Sequence, residues 1–273
     1  MHLVAINGSH RGEKGWTAFL INQLMAGAES AGAQCTVITL ARLKINRCLS
    51  CYECQQGGCA CAEDKAGSRC VWHDKDDVSG VLQQMAAADI LVFGTPVYVL
   101  GMSGLLKTFI DRLYATMDPY DMHINAHGLL HHRIDPLISS KPFVTLVTCS
   151  NLEEATPSNV LHFFRTYARF MDAPQVGVLV RNGAPLLDVA HSAEGAARLP
   201  AVARVYAAYR QAGRELATIG FIRRRTQQRA NQELVPVSAF HLLKRLPFVK
   251  RRVIAQAQDI LVERQRVEWP CLS

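Results

Sequence analysis

Apolar residues fall into two alternating patterns along the chain. Short, nearly unbroken apolar runs occupy 3–6, 35–40, 90–94, 143–148 and 176–180, as expected for strands of a buried parallel sheet. Between them, apolar residues recur at helical spacing over 17–30, 78–88, 104–116, 159–170 and 200–219. Strand and helix alternate without an internal repeat or low-complexity linker before about residue 220. That order predicts an α/β fold, a doubly wound parallel sheet with right-handed crossovers. Such sheets bind ligands at the carboxyl ends of their strands, beside the point where strand order reverses. The loops after the first, third and fourth strands are therefore the ones to read for chemistry.

The first of these loops runs from the apolar Leu3-Val4-Ala5-Ile6 through Asn7-Gly8-Ser9-His10-Arg11-Gly12-Glu13-Lys14-Gly15-Trp16-Thr17 into a helix. A strand feeding free backbone N–H groups at a helix N-terminus makes an anion site. Ser9 and Thr17 offer hydroxyls, Arg11 a charged fork, and Gly8, Gly12 and Gly15 a close backbone approach. Lys14 precedes Gly15, and Trp16 separates that glycine from Thr17, so a triphosphate-binding pattern is absent and one terminal phosphate fits better. The bland alternative is an ordinary strand-to-helix turn. The third-strand loop, Gly94-Thr95-Pro96-Val97-Tyr98-Val99-Leu100-Gly101, is stiffened by Pro96 and carries one aromatic ring. It suits the edge of a flat heterocycle, or else a plain connection with Tyr98 in the core. Ser103 is expected to start the next helix.

Composition sharpens this picture in two places. Six of the nine cysteines lie between residues 48 and 70, while Cys35, Cys149 and Cys271 stand alone. The chain opens directly as a strand and holds no apolar run of the roughly 18 residues needed to span a bilayer, so a soluble, cytoplasmic protein is expected. Dense cysteine in that setting argues for a metal or redox site. Cys48-x2-Cys51-x2-Cys54 lets three thiolates converge on one cluster face. Charge is also localised: residues 221–273 carry 11 basic and 4 acidic side chains, and the remainder carries 19 of each. An apolar-basic stretch over 239–249 and a helical one over 253–267 would suit a membrane surface or an acidic electron-transfer partner. The plainer reading is a packed arm with solvated charges. No nucleic-acid motif accompanies the charge.

Asn7-Gly8-Ser9-x-Arg11, Gly15-x-Thr17, the cysteine triplet, Asp76-Asp77, Gly94-Thr95-Pro96-Val97-Tyr98 and Leu106-Lys107-x-x-Ile110-Asp111-Arg112 occur in that order, within a resemblance that extends over about residues 1–190. Together they resemble the flavodoxin-like, NAD(P)H-dependent FMN reductase family, and within it the iron–sulfur flavoprotein branch. The resemblance implies a five-stranded sheet of order 2-1-3-4-5 with FMN at its carboxyl edge. With the change of pattern and charge after Ile219, the expected organisation is a flavodoxin-like FMN-binding domain over 1–220 and a basic, mostly helical extension over 221–273. Ser9, Arg11 and Thr17 would bind the FMN phosphate, with Gly15 in the same loop. Pro96, Val97 and Tyr98, with Leu100 beside them, would line the isoalloxazine, and Cys149-Ser150-Asn151 would form the third flavin loop. His10 stands where the family has Pro, and Trp16 where it has Asn; Trp16 would cover the flavin or a neighbouring subunit's site.

The same resemblance implies a 4Fe–4S cluster on Cys48, Cys51 and Cys54 with a fourth cysteine. Cys59 and Cys61 both satisfy the branch's spacing, whereas Cys70-Val71 matches its sequence context; the expected ligand is Cys59, reached through a turn at Gly57-Gly58. Structural zinc and free thiols are the alternatives. His123, His127, His131 and His132 are expected on a mobile lid over the flavin. The implied activity is FMN-dependent oxidoreduction, from NAD(P)H to a small-molecule acceptor or a ferredoxin-linked redox protein. It needs no protein nucleophile, and no catalytic side chain is assigned. A non-enzymatic flavin and iron–sulfur carrier or sensor, docking a partner through the basic tail, is the alternative. The apolar stretch 97–106 predicts a homodimer or homotetramer.

Overall fold

Strand β1 (His2–Asn7) lies between β2 (Gln34–Thr39) and β3 (Ile90–Tyr98), and every pairing is parallel. β7 (Phe143–Thr148) continues the sheet beside β3, and β8 (Gln175–Arg181) closes it. The five parallel strands thus take the expected 2-1-3-4-5 order, and the chain reverses its direction of travel between β1 and β3. The computed structural model describes residues 1–56, 70–189, 197, 199–235 and 246–265.

Successive β1 residues face opposite sides of the sheet, and each side is covered. Leu3 and Ala5 pack toward α1 (Trp16–Glu29) and a long helix over Pro200–Ile219, while Val4 and Ile6 pack toward the opposite layer. That layer holds α3 (Val78–Ala87), α4 (Gly104–Asp111) and α6 (Ser158–Phe170). Between these lie the single turns α2 (Glu53–Gln56), α5 (Pro136–Ser139) and α7 (Leu186–Val189). The helix expected over 104–116 is α4 followed by a 3₁₀ turn at Arg112–Thr116.

Helix Pro200–Ile219 (α8) runs parallel to α1, with Tyr206 against Phe19 and Arg210 donating to Gln23. The two backbones touch at glycines. A Cβ on Gly213 would lie 1.9 Å from the Leu24 carbonyl oxygen, and one on Gly27 1.9 Å from that of Arg210. The chain leaves α8 through Gly220 in the left-handed region and turns up the free edge of β8 as α9 (Arg224–Ala230). There the Gln227 side chain accepts from the Val178 N–H at 2.8 Å, and Asn231 accepts from Val180 at 2.7 Å and donates to the Val178 carbonyl at 3.0 Å. Two amides one helical turn apart stand in for a neighbouring strand and cover an edge that would otherwise invite pairing.

Ile222, Ala230, Leu234 and Val235 are buried in the same cluster as α1 and α8, and Val253 of α10 (Pro247–Gln265) joins them. Lys250 of α10 pairs with Glu153. The apolar-basic stretch expected over 239–249 lies mostly outside the described residues. Among the described residues, no helix is long and apolar enough to cross a membrane.

The histidine-rich loop differs from expectation. It forms an antiparallel hairpin, β5 (Met117–Ile124) and β6 (Leu130–Ile134), with His123 opposite His131. Asn125 at its turn donates to the Arg169 and Phe170 carbonyls at the carboxyl end of α6. Because α6 leads from the end of β7 to the start of β8, that end lies at the amino edge of the sheet. The hairpin tip is therefore pinned at the edge opposite the loops that follow β1, β3 and β7 and is not a lid over them; cross-strand pairing and Asn125 outweighed the loop-like composition.

Gly213→Ala should lower stability by about 2–3 kcal/mol, because the new methyl meets backbone atoms and forces the helices apart. Gly80→Ala, in α3 with open space around it, should raise stability by about 0.5–1 kcal/mol. Urea unfolding with an unchanged m value checks both.

Candidate functional site

The carboxyl edge at the β1/β3 reversal is built from three loops. Asn7, fully buried at the end of β1, accepts from the Ser9 N–H at 3.1 Å and donates to the Gly12 carbonyl at 3.2 Å, so one side chain shapes the first loop. Gly8 donates to the Gly94 carbonyl at 2.8 Å, and the Ser103 hydroxyl donates to the Gly8 carbonyl at 2.6 Å. Ser103 caps α4 by accepting from the Leu106 N–H at 3.1 Å, as its sequence position predicts, and the third-strand loop is thereby locked to the first. Sequence reasoning missed Asn7 and this second task of Ser103. Buried polar side chains flanking a glycine were the available signal.

Helix α1 begins at Gly15, which has no side chain to cap it. A Cβ there would fall 2.7 Å from Ser9 Oγ, so a larger residue would displace the Ser9 hydroxyl from the cradle. Ser9 is buried, and its oxygen accepts from the Arg11 N–H at 3.3 Å, leaving the hydroxyl proton for another acceptor. The Arg11 guanidinium carbon sits 5.1 Å from the Trp16 ring centroid, and the Trp16 N–H donates to Asp188 at 2.9 Å. Ser9, Arg11, Gly15 and Trp16 therefore meet in one place. Thr17 is buried in the first turn of α1, and its hydroxyl shares a 2.7 Å hydrogen bond with that of Thr148 at the end of β7, which leaves it capacity for a further bond.

Beyond Pro96 the chain is not a loop but a tight hairpin. Val97 pairs with Met102 and Tyr98 with Gly101, which makes Gly101–Met102 a short β4. Val99 and Leu100 turn the corner with φ of +46° and +64°, a region that a β-branched residue rarely enters. Val99 is fully exposed, and Tyr98 and Leu100 are exposed as well. Tyr98 is not in the core; its ring meets His10 of the first loop at 5.8 Å between centroids, a contact that sequence reasoning did not foresee. In the third loop Cys149 is buried, its N–H donating to the Arg181 carbonyl at 2.8 Å, and burial raises its thiol pKa. Ser150 and Asn151 are exposed beside it.

The cysteine segment leaves the sheet after β2 and is clamped at its root. The Lys44 N–H donates to Asp77 at 2.7 Å and the Asn46 N–H to Asp76 at 3.0 Å. Arg112 forms a buried ion pair with Asp76, the two side chains being 3% and 2% exposed, and also donates to the Asn46 carbonyl at 2.9 Å. Ser50 and Tyr52 both adopt positive φ, curling the backbone on either side of Cys51. Cys48, Cys51, Cys54 and Cys70 line one cavity, with Arg112 on its wall. Burial raises the Cys54 thiol pKa, and the sulfurs of Cys70, Cys48 and Cys51 raise it further. Among the described residues, no three His, Cys, Asp or Glu side chains are disposed to hold a metal ion. The donor set nonetheless matches thiolate ligation in kind and number. Cys59, Cys61 and Cys271 lie outside the described residues.

With this geometry in hand, the likenesses to other proteins are informative. A family model described as NADPH-dependent FMN reductase matches residues 1–139. An iron–sulfur flavoprotein of Archaeoglobus fulgidus is 34% identical over 112 residues, 41% of this chain and 48% of the relative. Another, of Methanocaldococcus jannaschii, is 32% identical over 113 residues, 41% of this chain and 51% of the relative. The chain spans about half the length of these relatives. Among solved structures, an FMN-dependent NADH-azoreductase from Bacillus anthracis in complex with FMN aligns over 80% of this chain and 100% of its own, with TM-score 0.53 and 11% identity. An NAD(P)H:quinone oxidoreductase from Methanothermobacter marburgensis aligns over 79% and 98%, with TM-score 0.52 and 17% identity. At these identities the structural likeness is one of fold.

Proposed function

The chain belongs to the NADPH-dependent FMN reductase family, and from that premise we propose that it is an FMN-dependent oxidoreductase using NAD(P)H to reduce a small-molecule acceptor. The observation that carries this reading is the side-chain-free start of α1 at Gly15, facing the Ser9 hydroxyl and flanked by Arg11 at the β1/β3 reversal. Uncapped first-turn amides, a hydroxyl and a guanidinium suit a phosphate monoester. FMN bound there would supply hydride and electron transfer. The chain's own part is positional. Ser9, Arg11 and the first turn of α1 hold the phosphate, and Trp16, fastened to Asp188, holds the Arg11 side chain in turn. Pro96, Val97 and Tyr98 present a stiff edge to the ring, with Ser150 and Asn151 at its other border. The buried Cys149 thiol stays neutral behind them. No side chain in this arrangement is placed as a nucleophile.

Arg11→Ala should weaken FMN binding by about 1.5–3 kcal/mol, the scale of a lost charge-assisted hydrogen bond. Flavin fluorescence titration measures it. Purified protein without flavin absorbance after FMN addition would sink the reading, and so would an absence of steady-state NADPH or NADH oxidation with quinone or free flavin.

An iron–sulfur cluster on the cysteine segment is the second part of the proposal. Cys48, Cys51 and Cys54 would supply three thiolates. Cys70 is supported as the fourth by the cavity that it lines with them, and Arg112, its charge balanced by Asp76, would stand beside the sulfurs. Cys59 is the competing fourth ligand. Anaerobic iron and sulfide analysis should show the cluster lost in Cys70→Ser and kept in Cys59→Ser. The opposite pattern would restore Cys59, and no iron in the reconstituted wild type would leave a plain flavin reductase.

The fully exposed Val99 at a strained turn, beside exposed Tyr98 and Leu100, supports a homodimer or larger assembly that covers this tip. Light scattering at micromolar concentration should give at least a dimer, reduced in Val99→Asp. A wild-type monomer with FMN bound would contradict it.

A further inference from the structure

A further cavity lies away from the loops of the β1/β3 reversal. It lies between α8 and α9, encloses about 580 Å³, and has Arg204, Arg214, Arg223, Arg225 and Arg229 on its walls. Among the described residues, none of the five guanidiniums forms an ion pair. Arg214 donates through Nε and Nη2 to the neutral Gln211 amide oxygen at 3.1 and 2.9 Å, which orients its guanidinium and leaves the charge uncompensated. Among the described residues one carboxylate lines the cavity, that of Glu215. It is 4% exposed and is occupied by neutral donors: the Arg223 N–H at 2.9 Å, the Thr226 hydroxyl at 2.8 Å and the Gln211 amide at 3.2 Å. Glu215 therefore opposes one positive charge out of five and serves chiefly to fasten the start of α9 to α8.

We infer that this cleft binds a soluble oligophosphate, recognised by its charges and not by an attached base. Guanidinium forks match phosphate oxygens bidentately. The walls that carry them are held before any ligand arrives, by Glu215 at one end of α9 and by Gln227 and Asn231 on β8 along its length. The volume is that of a small-molecule site, and the charges line a concavity; a protein-docking face would spread them over a flatter surface. Ala207 and Ala208 supply the apolar lining, and among the described residues no aromatic ring lines the cleft for a base to stack on. The basic excess of the C-terminal segment thus acquires a local role: three of the five arginines come from residues 223–229.

The test uses the full-length, FMN-loaded protein in calorimetric titrations at low ionic strength. Tripolyphosphate should bind saturably, one per chain, about tenfold or more tighter than orthophosphate, and should weaken as salt screens the site. ATP and GTP should bind within about threefold of each other, since the base is not read. Arg225→Gln with Arg229→Gln, two exposed positions outside the flavin loops, should lower tripolyphosphate affinity about tenfold or more while flavin absorbance stays unchanged. Flavin absorbance in the same samples separates this outcome from a failure of FMN to bind. No saturable binding at millimolar tripolyphosphate, or equal affinity in the double variant, would overturn the inference. So would preferential binding of a polyglutamate peptide, or of vesicles bearing polyphosphorylated lipid, since either would assign the arginines to a macromolecular surface.

Discussion

The 2.6 Å hydrogen bond from the Ser103 hydroxyl to the Gly8 carbonyl is the contact on which the carboxyl edge depends. It joins the loop after β1 to the start of α4, and the Gly8 N–H bond to the Gly94 carbonyl joins the same loop to β3. Residue 8 has to be glycine for this to happen: a Cβ would stand 2.7 Å from Leu106 Cβ and 3.1 Å from the Gly94 oxygen. Once Gly8 is held, Asn7 can close the loop onto Gly12, and α1 starts at a position that leaves its first turn open beside Ser9. The phosphate end and the ring end of the proposed flavin site are thus one mechanical unit. Disturbing Ser103 would be felt at Arg11, although the two do not touch.

The cysteine segment depends on a different kind of contact. Its root is pinned by the buried Asp76–Arg112 pair, whose desolvation cost is offset only because each partner also bonds to backbone. Arg112 ends α4, so the helix that Ser103 starts also reaches the wall of the cysteine cavity. A single eight-residue helix therefore spans from the proposed flavin loops to the sulfurs. That continuity gives a physical reason why the Asp-Asp pair and the Ile110-Asp111-Arg112 run occur in one chain with the triplet.

Much of this was legible in the sequence, and the exceptions share a cause. Unbroken apolar runs located all five parallel strands, and periodicity located the helices that pack on them, because burial on both faces of a sheet writes itself directly into hydrophobicity. That Ser9, Arg11 and Gly15 meet at one strand-to-helix turn could be read from their spacing between an apolar run and a helical pattern. What escaped was set by partners distant in sequence. The bond between the Thr17 and Thr148 hydroxyls, 131 residues apart, and the contact of the Tyr98 ring with His10 are of that kind. The Val99-Leu100 turn escaped because the favoured turn of this kind carries Asn or Gly, and here two apolar residues take positive φ. The histidine hairpin escaped because its polar composition reads as a loop until the pairing of His123 with His131 is seen.

Helix α9 shows how the same chemistry can hide two functions in a polar stretch. Arg223-Arg224-Arg225-Thr226-Gln227-Gln228-Arg229-Ala230-Asn231 reads as a solvated surface segment. On a helix, its residues separate by face. Gln227 and Asn231, four apart, turn to β8 and replace the missing strand, whereas Arg225 and Arg229, also four apart, turn to the cleft beside α8. Side-chain amides can satisfy a strand edge because each carries both a donor and an acceptor. A cationic side chain has no acceptor to offer the edge's N–H groups, so it is left to the other face. The division of labour follows from that difference in hydrogen-bonding capacity, and it concentrates positive charge on the one side of the helix that the sheet does not use.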